Sequence, residues 1–327
     1  MGNIRLTRPK DRIVKLIKRE DIVAALDDQH AIKLLEEGFV ALSAGKVTMP
    51  PVGHLGLTDP PGECHIKYGH IHGDDFFAVK LATGFYENAA HGLPSGSGMT
   101  VVFSARTGFP EVVLDDAGYL TDVRTAMAGC ICAQRLAPAK ITRIGIVGAG
   151  LQARLQLEYL RFATDCREAV VWARNEDKSH IFQNDMKKKG FQVGIASSLE
   201  ELCARSNLIV TTTPATTPLL RAEWIKSGTH ITAVGSDGAG KQELEAAIFA
   251  KAQHCVVDSL SQCVLLGESH FAIEAGFIDA SDLKELGAII SGDEVGRQND
   301  SEITIADLTG VAVQDIQIAK SVLLSLA

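Results

Sequence analysis

The feature that most constrains the fold is an apolar run, Ile144–Val147, that ends in a glycine-rich turn and opens onto a helix-forming segment. Gly148 permits a tight turn, Gly150 lets the backbone approach a pyrophosphate, and Ala153 is small enough for the helix to pack on the strand. Free N–H groups at a helix N-terminus favour phosphate. The pattern predicts a dinucleotide-binding βα unit. We expect the cofactor to contact the turn and the first helical residues, Gly148, Gly150, Leu151 and Gln152.

Further alternation of strand-like and helix-like segments surrounds this unit, which predicts a Rossmann doubly wound parallel sheet in an α/β protein. A helix is predicted before it, over Thr121–Leu136, ending ahead of Pro138. The predicted strands are Arg143–Val147, Ala169–Ala173, Gln192–Ile195, Leu208–Thr212, His230–Val234 and Cys255–Val257.

The first part of the chain has a different pattern, which predicts an α+β substrate and dimerisation domain. Helical spacing of apolar residues predicts a helix over Ile22–Leu42, and the C-terminal segment Val311–Leu326 has the spacing of a helix that packs back on this region. Hairpin-like spacing favours an antiparallel sheet whose strands are His65–Tyr68, Phe76–Leu81, Gly98–Ser104 and Glu111–Leu114. We therefore predict one domain from residues 1–120 plus 306–327 and a Rossmann domain over 121–305.

Composition excludes several classes of partner. The 327 residues carry a net charge of −8, whereas proteins that bind nucleic acids or anionic membranes usually have a basic excess. No apolar stretch approaches the roughly 20 residues of a membrane span, and Met1–Lys18 lacks a signal-peptide core, so we expect a cytoplasmic protein. Seven cysteines without framework spacing indicate reduced thiols. We predict no metal site, because His65, His70 and His72 cluster without a paired carboxylate or thiolate.

The end of the second predicted Rossmann strand bears on the choice of nicotinamide cofactor. An acidic residue usually binds the adenosine ribose there, but this chain has Arg174 and Asn175. A guanidinium can pair with a 2′-phosphate, which predicts NADP(H) over NAD(H), with NAD(H) still possible. Arg174 could instead be a solvated surface cation. After the fourth strand, Thr212 and Thr213 either line the nicotinamide side or serve only as strand formers.

Three motifs resemble the ornithine cyclodeaminase/μ-crystallin family. They are Gly118-Tyr-Leu-Thr-Asp-Val-Arg-Thr-Ala-Met-Ala-Gly, Gly148-Ala-Gly-Leu-Gln-Ala-Arg-Leu-Gln, and Val234-Gly-Ser-Asp followed by Lys241-Gln-Glu-Leu. Their order and spacing hold from about Ile22 to the C-terminus. The stretch Thr213–Trp224 is most similar to the ectoine-utilisation cyclodeaminase-like branch. Members of the family share hydride transfer at a carbon bonded to nitrogen, and the resemblance implies a homodimer whose N-terminal sheets pair.

The resemblance also implies roles for three residues. Lys80 and Arg124 match the family's cations at the substrate carboxylate, and Asp237 matches the acidic residue near the substrate nitrogen, which also borders the cofactor. A guanidinium binds a carboxylate through two parallel hydrogen bonds, and an ammonium adds a point charge. Asp237, or a water that it orients, could hold the proton that activates an imine.

Each of these residues also has a purely structural interpretation. Lys80 could extend its ammonium from the edge of a strand to solvent. Arg124 could pair with Asp116 or Asp122 at the start of its helix. Asp237, directly before Gly238, is typical of a turn.

Two departures from the family pattern concern the substrate. His54 follows Met49-Pro50 where the family often has an arginine, and the segment Glu63–Tyr68, containing His65 and Lys67, replaces one where ornithine cyclodeaminases place a glutamate. His65 and Lys67 share a strand face, which is either the pocket or solvent. If it is the pocket, the pocket is basic throughout. Repulsion of about 4 kcal/mol at ~4 Å and an effective dielectric of ~20 would then exclude a distal ammonium.

These observations predict an NAD(P)H-dependent reductase of a small anionic imino acid, with a dicarboxylate imine such as iminosuccinate as one candidate. The predicted substrate-binding residues are His54, His65, Lys67, Lys80 and Arg124, and Lys80 and Asp237 are the predicted catalytic residues. Two alternatives remain, an ornithine cyclodeaminase that forms proline and ammonia, and a μ-crystallin-like NADPH-binding protein with little turnover.

Overall fold

A computed structural model describes residues 14–326 of the chain. Its strands are β1 Lys15–Lys18, β2 Val47–Thr48, β3 Gly53–Thr58, β4 Pro61–Ile71, β5 Phe76–Gly84, β6 Gly96–Ser104, β7 Pro110–Asp115, β8 Ile144–Val147, β9 Glu168–Trp172, β10 Gln192–Ile195, β11 Leu208–Thr211, β12 Thr216–Leu220, β13 His230–Ala233, β14 Gln242–Leu244, β15 His254–Val257, β16 Leu283–Glu285 and β17 Thr304–Asp307. Its α-helices are α1 Arg19–Ala25, α2 Asp28–Ser43, α3 Tyr119–Leu136, α4 Leu151–Tyr159, α5 Glu176–Lys188, α6 Leu199–Arg205, α7 Leu260–Leu266, α8 Glu268–Glu274, α9 Leu286–Ser291 and α10 Ala312–Ser325.

The first sheet has the strand order β1-β7-β6-β5-β4-β2, with β3 also paired to β4. Its strands β3 to β7 are antiparallel neighbours, as the hairpin spacing predicts. The predicted helix over Ile22–Leu42 is wrong in one respect, because the structure has two helices there. Asp27 lies between the two helices and is the N-cap of α2, since its side chain accepts a hydrogen bond from the backbone N–H of His30 at 3.0 Å.

The second sheet is parallel throughout, with the order β10-β9-β8-β11-β13-β17-β15-β16. The sequence predicts β8, β9, β10, β11, β13 and β15 to within a residue at either end. It misses β17, which lies between β13 and β15 although it follows both in the chain. The predicted domain boundary between residues 305 and 306 falls inside this strand, so we propose to place it after Asp307 instead.

Helices α3 and α10 connect the two sheets. Helix α3 packs on α4 beside the parallel sheet and on α2 and α10 beside the antiparallel one. Its Met127 and Ile131 are fully buried in a hydrophobic core that includes residues of both sheets. Burying each such side chain contributes about 1.5–3 kcal/mol. The packing of α10 on β4 and β5 confirms the predicted return of the C-terminal helix.

In residues 14–326, no helix combines the length and the apolar character that crossing a bilayer requires.

Candidate active site

Three predicted cations converge where the two sheets meet. Lys67 on β4 is directly opposite Lys80 on β5, so both side chains lie on the same face of the antiparallel sheet. Arg124 on α3 lies against that face. Only 4% of Lys80 and 5% of Arg124 are exposed. Lys80 therefore does not extend to solvent from a strand edge, since β5 is flanked by β4 and β6.

A buried carboxylate that the sequence analysis did not identify joins these cations. Asp315 on α10 lies 3.1 Å from Lys80 Nζ through Oδ2 and 3.1 Å from Arg124 Nε through Oδ1. Arg124 also donates to Gln314 Oε1 at 2.9 Å. The sequence analysis offered Asp116 or Asp122 as an alternative partner for Arg124. That alternative is wrong, because the guanidinium pairs with residues of α10 instead. The two cations are thus held in position by a carboxylate that follows Arg124 by 191 residues and lies still farther from Lys80 in the chain.

Lys67 is held by the loop between β17 and α10. Its ammonium donates to the carbonyl oxygens of Gly310 at 2.6 Å and Thr309 at 3.3 Å. Gly310 has φ +77°, and a Cβ there would lie 2.8 Å from Arg124 Nη1 and 3.3 Å from Lys67 Nζ. A side chain at position 310 would therefore displace both cations, in addition to the strain of a positive φ.

Burial changes the protonation of this cluster. Desolvation lowers the pKa of Lys80 to about 7, although Asp315 opposes the shift, and Arg124 and Lys67 add to it by repulsion. The pKa of Lys67 is also lowered, first by desolvation and then by Arg124. For Asp315, burial alone would raise the pKa, but attraction to Lys80, Arg124 and Lys67 brings it below its ordinary value. The site therefore holds a buried anion and at least one cation whose charge depends on pH near neutrality.

Asp237 borders the same pocket as Lys67 and Arg124. It follows β13, at the carboxyl edge of the parallel sheet where ligands bind in this architecture. Its side chain is 57% exposed and accepts a hydrogen bond from Lys241 Nζ at 2.7 Å. Asp237 thus combines a turn position with a place in the pocket wall, facing the cations that the sequence analysis assigned to the substrate.

His54 and His65 lie further along the antiparallel sheet. They are directly opposite each other on β3 and β4, on the face that carries Lys67 and Lys80, but they do not line the pocket of Asp237. Glu63 Oε2 lies 3.2 Å from His65 Nε2 and 3.8 Å from His54 Nε2. If this face forms the pocket, the prediction of a pocket that is basic throughout is wrong, since Glu63 and Asp315 both place carboxylates on or against the face.

The glycine-rich turn has the geometry that a bound pyrophosphate requires. Gly148 has φ +111°, and a Cβ there would lie 2.7 Å from Thr212 Oγ1, so only glycine fits. A Cβ on Gly150 would have no heavy atom within 4 Å, which leaves open space beside the start of α4. Leu151 is exposed at that helix N-terminus, and Gln152 donates to the carbonyl oxygen of Asp122 at 3.1 Å.

Arg154, which the sequence analysis quoted only as part of a motif, lies against the same turn. Its guanidinium donates to the carbonyl oxygens of Ala149 at 2.6 Å and Gly150 at 3.0 Å. Asp185 pairs with it from α5 at 3.1 Å. Arg154 therefore fixes the conformation of the turn by satisfying two carbonyls.

The threonines after β11 close the other side of the turn. Thr212 Oγ1 donates to the carbonyl of Val147 at 3.1 Å. Thr213 donates to Glu243 Oε1 from its backbone N–H at 2.6 Å and from its hydroxyl at 2.7 Å. Glu243 also accepts from the N–H of Gly235 at 2.8 Å, and burial raises its pKa to about 7. Glu243 thus joins the ends of β11 and β13, which border the nicotinamide side in a Rossmann fold.

Arg174 and Asn175 lie at the end of β9, where the sequence analysis expected the adenosine ribose. Asn175 caps α5, its side chain accepting from the N–H of Lys178 at 3.1 Å. Arg174 is exposed. An exposed cation at this edge is compatible with a 2′-phosphate and also with a solvated surface residue.

Comparisons with known proteins agree with this architecture. The family model for the ornithine cyclodeaminase/mu-crystallin family matches residues 13–326. Among curated proteins, the chain is 44% identical to the uncharacterized cyclodeaminase y4tK of Sinorhizobium fredii, over 89% of each chain. It is 35% identical to the alanine dehydrogenase of Archaeoglobus fulgidus, over 94% of this chain and 93% of that one.

Solved structures give the same result. An archaeal alanine dehydrogenase dimer with bound NAD has a TM-score of 0.88, 34% identity and 95% coverage of both chains. The Δ1-pyrroline-2-carboxylate reductase of Thermococcus litoralis, in complex with NADH and L-proline, has a TM-score of 0.89 and 28% identity, covering 95% of this chain and 97% of that one. The iminosuccinate reductase of Paracoccus denitrificans, in complex with NAD⁺, has a TM-score of 0.88 and 28% identity, covering 95% and 96%.

The fold and the site therefore define an α/β protein with a Rossmann dinucleotide-binding sheet and a cation-rich pocket at its carboxyl edge. The chain belongs to the ornithine cyclodeaminase/mu-crystallin family. Relatives in this family include proteins named as reductases of imines, an alanine dehydrogenase and an uncharacterized cyclodeaminase.

Proposed function

We propose that this protein is an NAD(P)H-dependent reductase of a small imino acid. The observation that supports this most directly is a pocket bordered by Lys67, Arg124 and Asp237, at the carboxyl edge of the parallel sheet that also carries the glycine-rich turn after β8. Cations suit the substrate carboxylate, and an acidic residue suits the nitrogen. Titratable groups with shifted pKa values beside a cleft are common in active sites.

The geometry suggests how the residues divide the work. Arg124 and Lys67 bind the carboxylate, and Lys80 adds a charge behind them while Asp315 holds Arg124 and Lys80 in place. The glycine-rich turn would hold the pyrophosphate of a reduced nicotinamide nucleotide, which would supply the hydride for the imine carbon. Asp237, or a water that it orients, holds the proton at the substrate nitrogen, and the more electrophilic protonated imine is the form that is reduced.

A steady-state assay tests the function. We expect NAD(P)H oxidation to depend on a small imino acid, presented as a cyclic imine or as a keto acid with ammonia. Replacing Asp237 with Asn should lower kcat by a factor of about 10² or more while the dissociation constant of the nucleotide stays unchanged. A μ-crystallin-like storage protein would bind nucleotide with no turnover to lose.

A second candidate, ornithine cyclodeaminase, is favoured by one observation. Glu63 places a carboxylate on the same strand face as Lys67, which suits a distal ammonium. NAD-dependent ammonia release from L-ornithine, without reduction of any imine, would establish this alternative and overturn the first. Iminosuccinate is included among the imino acids assayed, so that the rates with dicarboxylic and monocarboxylic imines can be compared.

We propose NADP(H) as the preferred cofactor, although the solved relatives named above contain NAD or NADH. The proposal depends on Arg174, which is exposed at the end of β9. Replacing Arg174 with Ala should weaken NADPH binding about tenfold and leave NADH binding unchanged, because one charge-assisted pair to phosphate is lost. Fluorescence titration of both nucleotides measures this. Tighter binding of NADH than NADPH by the unaltered protein would contradict the assignment.

We also propose that the protein is a homodimer. The face of the antiparallel sheet opposite Lys67 and Lys80 is mostly apolar, with the Lys18–Asp115 ion pair at its β1 edge. Large apolar side chains on it are exposed in the single chain, among them Leu16, Leu55, Leu57, Tyr68 and Met99. Exposed apolar patches of this kind mark protein interfaces. A second copy of the same sheet is the partner that the alanine dehydrogenase dimer suggests.

A further inference from the structure

Three side chains on the β3–β4 hairpin form a cluster apart from the pocket. His54 and His65 are a directly opposed pair, and Glu63 is two residues before His65, so alternation places all three on one face. One ligand atom from each lies within 4.8 Å of the other two. Cys64 lies between them in sequence, but alternation points it to the opposite face. The cluster therefore consists of two imidazoles and one carboxylate.

This arrangement fits the donor set of a transition metal. Tetrahedral zinc with bonds of about 2.0–2.2 Å to nitrogen and oxygen separates its ligand atoms by roughly 3.3 Å. Glu63 Oε2 is 3.2 Å from His65 Nε2 and 3.8 Å from His54 Nε2. Small side-chain rotations would therefore bring the three atoms to one ion. Two histidines and one carboxylate leave an open coordination position, as in catalytic zinc sites.

The sequence-based prediction of no metal site grouped His65 with His70 and His72, and not with His54 and Glu63. His70 Nε2 lies 3.1 Å from the carbonyl of Asp74, and His72 Nε2 lies 2.9 Å from Thr48 Oγ1. Those two rings are engaged elsewhere. Strand β3 was not among the predicted strands, and its register with β4 is what places His54 beside Glu63 and His65.

We propose that His54, Glu63 and His65 bind one divalent transition-metal ion of the zinc type. Antiparallel pairing of β3 with β4 fixes the backbone at all three positions, so binding requires only side-chain adjustment. The side chains of His54 and His65 are 56% and 34% exposed, which gives an ion access from solvent.

The position of the ion suggests its ligand. His65 is two residues along β4 from Lys67, roughly 7 Å, on the same face. The open position would therefore receive a donor at the far end of a substrate whose carboxylate is held by Lys67 and Arg124. A second carboxylate is the class of donor that we propose, and this part of the inference rests on the proposed function.

Metal binding is tested without turnover. The untagged full chain is stripped with a chelator and titrated with zinc by calorimetry, and cobalt(II) is used as a probe of tetrahedral coordination by its visible absorption. We expect one ion per chain. The substitutions His65→Gln and Glu63→Gln should each weaken zinc binding at least tenfold, whereas His72→Gln, an exposed histidine outside the cluster, should have no effect.

Circular dichroism and thermal melting establish that each variant is folded, and His54→Gln provides a third variant should one of the others fail. Absence of zinc binding, or equal weakening by His72→Gln, would overturn the metal site. Imine reduction without zinc binding would leave the proposed function intact and remove the site. Zinc binding without imine reduction would leave the metal site intact and overturn the proposed function. If the site and the function both stand, zinc should lower KM for a dicarboxylic imine more than for a monocarboxylic one, and equal effects would overturn the assigned ligand.

Discussion

Asp315 is the single residue on which the charge of the pocket most depends. It is buried between Lys80 and Arg124, and no other carboxylate of the described residues forms an ion pair with either cation. Its attraction opposes the desolvation that lowers the pKa of Lys80 to about 7. The strength of carboxylate binding should therefore vary with pH near neutrality, since Lys80 loses its charge as pH rises through its pKa.

Replacing Asp315 with Asn should move that pH dependence. Without the attraction of Asp315, the pKa of Lys80 falls further, so affinity for an anionic ligand should be lost at lower pH than in the unaltered protein. Stability should also fall, by about 3–5 kcal/mol, because removing one partner leaves buried charge uncompensated. The measurement is the inhibition constant of a keto acid across neutral pH, together with urea unfolding. Asp75→Asn, at an exposed pair with Arg106, is the control, and superimposable profiles for Asp315→Asn would contradict the prediction.

At the level of elements, the connection between β17 and α10 assembles the site. Its Thr309 and Gly310 carbonyls accept from Lys67, and α10 then supplies Gln314 and Asp315 to Arg124. On the parallel sheet, Glu243 links two strand ends by joining Thr213 after β11 to Gly235 after β13. The cations and the cofactor turn therefore depend on loops at one edge of the parallel sheet.

Replacing Gly310 with Ala should disturb this connection in a specific way. The Cβ would lie 2.8 Å from Arg124 Nη1, so the guanidinium must move. We expect a KM at least tenfold higher, since a displaced bidentate contact to carboxylate is largely lost. Gly292→Ala is a matched control, because Gly292 also has a positive φ (+84°) but no heavy atom within 4 Å of its Cβ.

Both substitutions should cost about 1–2 kcal/mol of stability from the left-handed backbone conformation. Only the change at Gly310 should raise KM. Equal kinetics for the two variants would show that the loop tolerates a side chain beside the cations.

For the whole molecule, the apolar face of the antiparallel sheet is the main feature that a single chain leaves exposed. Tyr68 is 39% exposed and Leu55 is 60% exposed on that face. Because both are accessible in the single chain, substitutions there should affect association more than folding.

Replacing Tyr68 and Leu55 together with Lys should convert a dimer to a monomer, since like charges from two copies would be buried at the interface. Light scattering after size exclusion measures the mass. Leu265→Lys, at a residue 67% exposed elsewhere on the surface, should leave the dimer intact. A dimer that survives the double substitution would place the interface on another face.

Much of the fold and part of the site were determined by the sequence alone. The glycine-rich turn and the strands around it depend on local spacing, and local spacing is what a sequence displays. Sequence-based prediction missed β17, because its place between β13 and β15 is set by a long-range return of the chain. The family resemblance singled out Lys80, Arg124 and Asp237 as candidates. In the structure Arg124 and Asp237 border one pocket, and Lys80 shares the carboxylate of Asp315 with Arg124.

Which distant groups lie together was set by the packing of the elements and not by local sequence. Asp315 reaches Arg124 across 191 positions of sequence, Gly310 approaches both Arg124 and Lys67, and strand register brings His54 beside Glu63. Such contacts leave no periodic trace in a sequence, because they depend on how separate elements pack. Charge in the pocket depends on these contacts, since burial and the nearest counter-charge set the protonation of a lysine or a carboxylate.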